Sequence, residues 1–595
     1  MTDRTAYFGA GSVIFGAWRA IGFPLWLVVA SIGLVALTRH PLPMCVALAI
    51  CASVLGSRSM AGLRVELGDR SVVSESVELL TDPVTTISGV RVEARIGSRH
   101  VQLWARGRLG SELDSHRAGD IAVLDGRLSP TSGRSVEYLR SRHIALRLDA
   151  SAISSWRSGD VASRAANSFR SLVFGGARSL PPVERSLFAG FVLGDTHDQT
   201  ADVADSFGAS GLTHLMAVSG ENVAFVLVAA GPLIRIGQRK GRFLITLVVL
   251  AFFCVATRWQ PSVLRAAGMA AVGAYATLRG RRVSGLRILA VTVVLLTLID
   301  PLLVRSAGFL LSVGASGGII LWGKRLCDAI RGPRLLANAI GITIAAQLGT
   351  LPLLLGFFGG IPVASVPANA LAVPAAGPVM VWGLTGGLVA GIFGGRVAWA
   401  LHLVDHVLLW WVAKVARASS SWGLGTLTMR HCLALALAVG GWRFAAHGAT
   451  RPRRRGLCKA VAGLGVVAIV VSASEWFTPP LVGTFEIVGR SELHISPSAS
   501  VLVLGWAEPK VVLADLRARG VDHLDVIVVH GATWASARAA EPVIRQMTPA
   551  LVVAAPSAQQ RGMTPAHDGE QWTVGDITIT VTSTSPSLVV TIDTG

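Results

Sequence analysis

Arg265 stands inside the apolar run PSVLRAAGMA (261–270), where a guanidinium is tolerable only against a polar partner or a water-filled cavity. Such a cation could meet an anion in passing; it could equally snorkel toward a headgroup layer or bond a neighbouring helix. Arg258 lies seven residues earlier, on nearly the same face if one helix carries both, and Arg305 opens a later apolar segment. A second polar set, His214, Ser219, Glu221 and Asn222, begins another apolar run with the small residues Ala217 and Gly220 among it. Those residues suit the lining of a polar path, and they suit hydrogen bonding between close-packed helices as well. Gln347, Thr350 and Asn369 are further polar points on apolar segments. His402, Asp405 and His406 form an H-x-x-D-H pattern that one helix face would present together, a geometry fit for a metal or a proton relay. Asp195, Asp198, Asp202 and Asp205 are spaced so that they could hold a divalent cation, although solvated helix faces and N-caps use the same residues.

The elements that carry these groups are long apolar runs. The 595 residues are 52% hydrophobic and 15% charged, against about 25% charged in an ordinary soluble domain. Segments 12–37, 243–257, 262–278, 288–304, 306–322 and 338–358 are nearly free of charge and close to the length that crosses a hydrocarbon core of ~30 Å. Further candidates lie at 42–57, 212–234, 363–395, 397–416, 432–447 and 460–476. The expectation is a polytopic α-helical membrane protein of about 10–13 spans, with the lipid bilayer as its first partner. The run 12–37 is too long for the core of a cleaved signal and reads as a retained helix. Pro362, Pro367, Pro374 and Pro378, with several glycines, predict a broken or re-entrant helix over 363–395.

The net charge of +19 gathers in short loops, RIGQRKGR (235–242), RGRRVSGLR (279–287), KRLCDAIRGPR (324–334) and RPRRRGLCK (451–459). That distribution is what cytoplasmic loops of a membrane protein look like, so the charge alone does not indicate nucleic acid. The six cysteines give neither a disulfide framework nor a zinc spacing. No Walker-type Gly-x-x-x-x-Gly-Lys-Ser/Thr sequence occurs, which excludes a P-loop ATPase within this chain.

Two polar regions interrupt the helices, and the loop charges put both on the outer face. Over 60–160, short alternating runs (90–96, 101–106, 121–128, 143–148) separated by glycine-containing turns predict a small antiparallel barrel, with an OB-like fold as the guess. Its large rings are few, Trp104, Tyr138 and Trp156, so a base-stacking platform and a purely structural barrel both remain open. The last region alternates strand-like runs (501–504, 525–529, 551–554, 577–581, 588–592) with helical stretches, an α/β pattern. The expected domains are therefore 1–59 (N-terminal helices), 60–160 (barrel), 161–478 (membrane channel) and 479–595 (α/β).

The stretch GASGLTHLMAVSGENVAFVL (208–227) resembles the signature of ComEC-type competence proteins, the DNA-internalisation channels of natural transformation. LFAGFVLGDTHD (187–198), PSVLRAAGMA (261–270), DPLLVRSAGFLLSVGASGGIILW (300–322) and QLGTLPLLLGFFGGIPVASVPANALAVPAAGPVMVWG (347–383) agree in order, and HRAGDIAVLDGRLSP (116–130) is similar to the family's extracytoplasmic OB-like domain. The resemblance implies single-stranded DNA as cargo, moving inward through a bacterial inner membrane with both polar domains outside. It implies a cytoplasmic ATP-driven motor or strand-binding protein and an outer DNA receptor as partners. Arg258, Arg265, Arg305, His214, Ser219, Glu221, Asn222, Gln347 and Asn369 are then the candidates for the strand's path.

Many proteins of that type end in a metallo-β-lactamase-like domain with an H-x-H-x-D-H metal motif after a strand. GVDHLDVIVVHGATWASA (520–537) resembles that strand and loop, with His530 at the first ligand position and Ala532, Trp534 and Ala535 at the next three. Leu504 and Gly505 stand where the family has an Asp-Thr-Gly turn. A dinuclear site needs several nitrogen and oxygen ligands, so the expectation is a degenerate domain with no catalytic residues, no metal and no cofactor. Two other readings stay open from the sequence: a bifunctional channel and metal-dependent nuclease, and an unrelated permease for a small solute or lipid-linked substrate, whose broken helices and midplane polar groups would look alike.

Overall fold

The computed structural model describes residues 3–38, 40–64, 71–86, 88–132, 135–216, 218–436, 463, 465, 482–506, 508–521, 523–585 and 587–594. Ala217, positions 437–447 of the span predicted over 432–447, the span predicted over 460–476, and the basic loop 451–459 with Cys458 lie outside the described residues, save positions 463 and 465. The chain forms two compact units, one of residues 1–197, 214–359 and 369–412, the other of 198–213, 360–368 and 413–595.

The first unit opens with three helices, α1 (Asp3–Arg19), α2 (Leu25–Thr38) and α3 (Pro41–Gly62). A Cβ at Gly16 would overlap the Ala49 carbonyl, so glycine sets how closely α1 crosses α3. A β-barrel follows: β1 (Ser71–Leu79), β2 (Val84–Thr86), β3 (Gly89–Ile96), β4 (Arg99–Ala105), β5 (Ile121–Pro130) and β6 (Ile144–Arg157). The ring runs β1–β3–β4–β6–β5 and back to β1, every pair antiparallel except β4–β6. Alternate residues point inward: Val90, Val92 and Ala94 of β3 face Val101, Leu103 and Ala105 of β4 in one core with Leu146 and Leu148 of β6. Each such fully buried leucine contributes roughly 2 kcal/mol of transfer free energy. Helix α4 (Gly107–Asp114) closes one end with Leu113, and α5 (Val136–Ser141) precedes β6.

Helices α6 (Val161–Gly176) and α7 (Pro182–Leu193) lead on, while α8 (Ala201–Ala209) belongs to the second unit. After the single turn α9 (Thr213–Met216) come α10 (Gly220–Ala229), α11 (Gly231–Ile236), α12 (Arg239–Ala256), α13 (Pro261–Leu278) and α14 (Gly285–Ile299). Then follow α15 (Ala307–Gly318), continued through a π-helical turn into α16 (Lys324–Ala329), and α17 (Arg334–Phe358), α18 (Ser365–Phe393) and α19 (Gly395–Ser420). Among the described residues, Pro41–Gly62, Ala307–Ala329, Arg334–Phe358 and Ser365–Phe393 are long and apolar enough to cross a membrane, and Trp26–Val35, Gly220–Ala229 and Gly285–Ile299 are shorter apolar helices. Gly314 and Gly318 of α15 meet Ala345 and Gly349 of α17 so closely that a Cβ at either of Gly318 and Gly349 would overlap the partner's carbonyl, the small-residue crossing that membrane helices use.

The broken helix expected over 363–395 is corrected: α18 runs unbroken for 29 residues with Pro374 and Pro378 inside it. Neighbouring helices keep such prolines tolerable at membrane depth. The glycines serve packing instead, since a Cβ at Gly391 would overlap the Leu172 carbonyl of α6 and one at Gly383 would crowd Phe188 of α7.

In the second unit, β7 (Gly360–Pro362) pairs with β8 (Thr426–Thr428). The α/β part has a sheet of β9 (Gly483–Ile487), β10 (Ser491–Ile495), β11 (Ser500–Leu504), β12 (Val526–Val529), β13 (Leu551–Ala554) and β14 (Thr564–Pro565), antiparallel through β9–β10–β11 and parallel from β11 to β14. A second, antiparallel sheet joins β15 (Gln571–Val574), β16 (Ile577–Ser583) and β17 (Val589–Thr594). Helices α20 (Pro509–Ala518) and α21 (Trp534–Met547) are the crossovers and pack on α8. All four residues of β12 are buried, as an inner parallel strand requires.

Candidate functional site

The signature residues build the break between α9 and α10. Ser219 is the N-cap of α10: its Oγ accepts from the Glu221 amide (3.2 Å) and donates to Asn222 Oδ1 (2.9 Å). Buried Asn222 donates in turn to the Phe191 carbonyl of α7 at 2.9 Å. Ser262 of α13 donates to the Val218 carbonyl at 2.7 Å. Gly194, with φ of +70°, lies against Val218, whose side chain a Cβ there would overlap. These polar residues therefore fix the chain's path, and Glu221 and His214 are left on exposed positions.

Arg265 of α13 reaches this break from within. It is 6% exposed, its Nε donates to Ser312 Oγ of α15 at 2.6 Å, and its Nη1 lies 3.1 Å from Met269 Sδ. Nη2 occupies the space left by Gly220, the first residue of α10, since a Cβ at that glycine would overlap it. Among the described residues no carboxylate forms an ion pair with Arg265. A buried cation at a helix N-terminus opposes the helix dipole.

Arg258 does not share a helix with Arg265, contrary to the sequence-based expectation. It sits in the turn before α13 with φ of +58°, followed by Trp259 at +54°, and consecutive left-handed residues break helical periodicity. Its guanidinium donates to Asp82 (Nη2 to Oδ1 2.7 Å, Nε to Oδ2 3.1 Å) and to Asn167 Oδ1 (2.7 Å). Asp82 leaves the barrel between β1 and β2 and also accepts from Arg170 of α6 at 2.9 Å. Arg170 bonds Asp195 at 2.7 Å and the carbonyls of Leu193 and Ala256. Burial pushes the Asp82 carboxyl up, but Arg170 and Arg258 more than offset this and hold it at about 2. Asp82, Asn167 and Arg170 are the residues that sequence reasoning missed; the visible signal was Arg170 on the buried stripe of α6 with Ala166 and Val173.

The other candidates are scattered. Arg305 donates to the Trp18 carbonyl at 2.8 Å and lies over the Trp18 ring, which closes the C-terminal end of α1. Gln347 is half-buried on α17, where Thr350 donates to the Ala346 carbonyl, and Asn369 is buried on α18. On α19, His402 Nδ1 and Asp405 Oδ2 are 2.9 Å apart.

Three of the four residues of the acidic series pair with arginines, Asp195 with Arg170, Asp205 with Arg517 of α20 (2.6 Å) and Asp202 with Arg545 of α21 (3.7 Å), and Asp198 is exposed. In the α/β part His530 follows β12, its amide bonded to the Leu504 carbonyl and its carbonyl to the Leu588 amide. Ser557 donates to the Ala532 carbonyl in the same loop. Among the described residues no three His, Cys, Asp or Glu side chains stand close enough to share a metal ion.

Long apolar helices, glycine-mediated crossings and a buried cation define a helical membrane protein. Residues 191–454 match the family model described as Competence protein. The chain is 31% identical over 199 residues to ComE operon protein 3 of Bacillus subtilis (strain 168), covering 33% of this chain and 25% of that protein. It is 28% identical over 256 residues to Uncharacterized protein YcaI of Escherichia coli (strain K12), covering 41% and 33%. The chain thus spans a quarter to a third of the length of these curated relatives. No solved structure matches it. Over residues 191–454 the chain is therefore similar to competence proteins.

Proposed function

We propose that this chain is the inner-membrane channel through which single-stranded DNA enters the cytoplasm during natural transformation. The observation that carries the reading is Arg265: within the matched residues 191–454, it is a buried guanidinium that lacks an acid among the described residues. A polyanion passing the α9–α10 break would supply the missing charge one phosphate at a time. The barrel is read as an OB-like domain on the outer face. Numbered in order, its five ring strands close as 1-2-3-5-4 with one parallel pair and a helix after the third, which suits a strand-receiving module. Basic loops at Arg239–Arg242 and Arg279–Arg282 suit a cytoplasmic location, with the polar domains opposite. A motor or strand-binding protein inside and a DNA receptor outside complete the pathway.

Deleting the chain from a transformable host is expected to leave labelled DNA bound outside and to abolish its arrival in the cytoplasm. Undiminished arrival would sink the reading. The terminal α/β part is read as metallo-β-lactamase-like in fold and inactive in chemistry, because His530 alone stands at the position of the metal motif. Purified full-length chain with zinc or manganese is accordingly expected to cut neither single- nor double-stranded DNA above a metal-free control; metal-dependent cutting would restore the bifunctional alternative.

A further inference from the structure

Helix α19 carries a histidine and an aspartate withdrawn from solvent together. His402 is 1% exposed and Asp405 0%, and one hydrogen bond of 2.9 Å joins Nδ1 to Oδ2. Among the described residues their other polar atoms, His402 Nε2 and Asp405 Oδ1, are buried without a partner, and so is Nδ1 of His406. His406 itself is only half-buried, so the three titratable groups run along one helix face from partial exposure to full burial.

Among the described residues the surroundings supply no ion-pair partner to Asp405 besides His402. The Phe188 ring of α7 stands edge-on to His402 with centroids 5.1 Å apart. A Cβ at Gly387 of α18 would lie 3.8 Å from His402 Cε1 and the same from Val173 of α6. Helix α18 has no titratable residue along its length. Helix α7 brings Glu184, buried one turn before Phe188, and Arg185. Helix α6 brings Arg164 and Arg170, the latter engaged with Asp82 and Asp195. On α19 itself Arg396 lies six residues before His402, while Lys414 and Arg417 follow beyond His406. The described ion pairs give Asp405 no partner but His402.

We propose that His402 and Asp405 form a one-proton site, reached through His406, at which the membrane domain binds and releases a proton. With Nδ1–H donated to the Asp405 carboxylate, Nε2 offers a bare lone pair in apolar surroundings, and the pair carries one uncompensated negative charge. A proton arriving at Nε2 turns the imidazole into imidazolium beside the carboxylate and makes the pair neutral; its departure restores the charge. A buried single charge is costly and a neutral hydrogen-bonded pair much less so, hence the site draws a proton whenever its walls close around it. Chains of Asp and His within membrane helices serve such transfer, and the geometry differs from a metal site because among the described residues no third ligand joins the two.

The test uses full-length chain in lipid nanodiscs, with proton uptake counted after a pH jump and infrared difference spectra recorded across about pH 5 to 8, where histidine titrates. Asp405→Asn and His402→Gln are each expected to take up one proton fewer per chain and to lose the coupled carboxylate and imidazole bands. His406→Gln is expected to leave the coupled carboxylate and imidazole bands of the pair in place but to slow their exchange at least about tenfold. Asp405→Glu should retain the proton with a displaced midpoint. Equal proton counts in wild type, Asp405→Asn and His402→Gln would overturn the site. If the first two variants fail to insert, the wild-type spectrum decides: bands that do not change with pH exclude the proposal. None of these readouts requires DNA, so their failure is separate from failure of the channel reading.

Discussion

A chain carrying Arg265→Gln is expected to insert at the normal level, to melt at a higher temperature than the wild type, and to lose most of its DNA uptake. The combination is what separates a working cation from a structural one. A buried guanidinium in a membrane helix costs about 2.5–3.5 kcal/mol on insertion scales, and here, among the described residues, Ser312 and Met269 answer it. Glutamine keeps a hydrogen-bond donor and discards the charge, so the resting protein gains stability. On the proposed channel function, a phosphate passing Arg265 would lose a charge-assisted bond of about 1.5–3 kcal/mol, which converts to about ten- to a hundredfold. Arg265→Lys should fall between the two, since a point charge replaces the planar fork that reaches Ser312 and the Gly220 space at once. Labelled-DNA uptake per inserted chain, beside thermal unfolding of the purified protein, measures both halves. Destabilisation together with undiminished uptake would make Arg265 a packing residue and move the path elsewhere.

The sequence displayed the apolar runs because a bilayer demands them, and α15, α17 and α18 lie where hydropathy puts them. It displayed β3, β4 and β5 because both barrel faces impose alternation. It concealed β1: SVVSESVEL has a bulge at Ser74, with φ of +51°, and four exposed residues in succession, so period two is lost. The prolines of α18 suggested a break because proline breaks helices in water, whereas this helix, packed against α6 and α7, continues through them.

For the site, the types of residue were legible and their partners were not. Arg265 and Gly220 were visible as a cation in an apolar run and a small residue in a polar cluster, 45 positions apart. That the glycine exists to admit the guanidinium depends on how α10 crosses α13, which no local pattern encodes. Arg258 misled for a related reason: periodicity assumes a helix, and two left-handed residues in the turn 258–259 remove it. Asp82 was invisible because its partners lie 88 and 176 residues away.

Those partners make Asp82 the residue whose loss is expected to damage the fold most. Asp82→Ala removes the carboxylate that accepts from Arg170, from Arg258 twice and from the Ala118 amide; it leaves nearly buried Arg170 with Asp195 alone and takes from Arg258 its ion-pair partner. Breaking one partner of a buried pair costs about 3–5 kcal/mol. A further Arg258→Ala change should recover part of that cost, because coupled residues are not additive. Acid offers the same perturbation without mutation. The carboxyl is held at about 2 when folded and near 3.9 when unfolded, so its contribution is whole above about pH 4 and disappears as pH falls through 2. That difference is worth about 2–3 kcal/mol, less than the mutation because a protonated carboxyl still fills its place. The melting temperatures of wild type and Asp82→Ala should therefore lie a constant distance apart from neutral pH down to about 4 and draw closer below it without meeting; a gap as wide at pH 2 as at neutral pH would assign the stability to packing. The turn that Arg258 holds leads within three residues into α13, so Asp82→Ala is also expected to lower uptake from a position outside the matched residues 191–454, with the barrel acting as the part that keeps Arg265 in register.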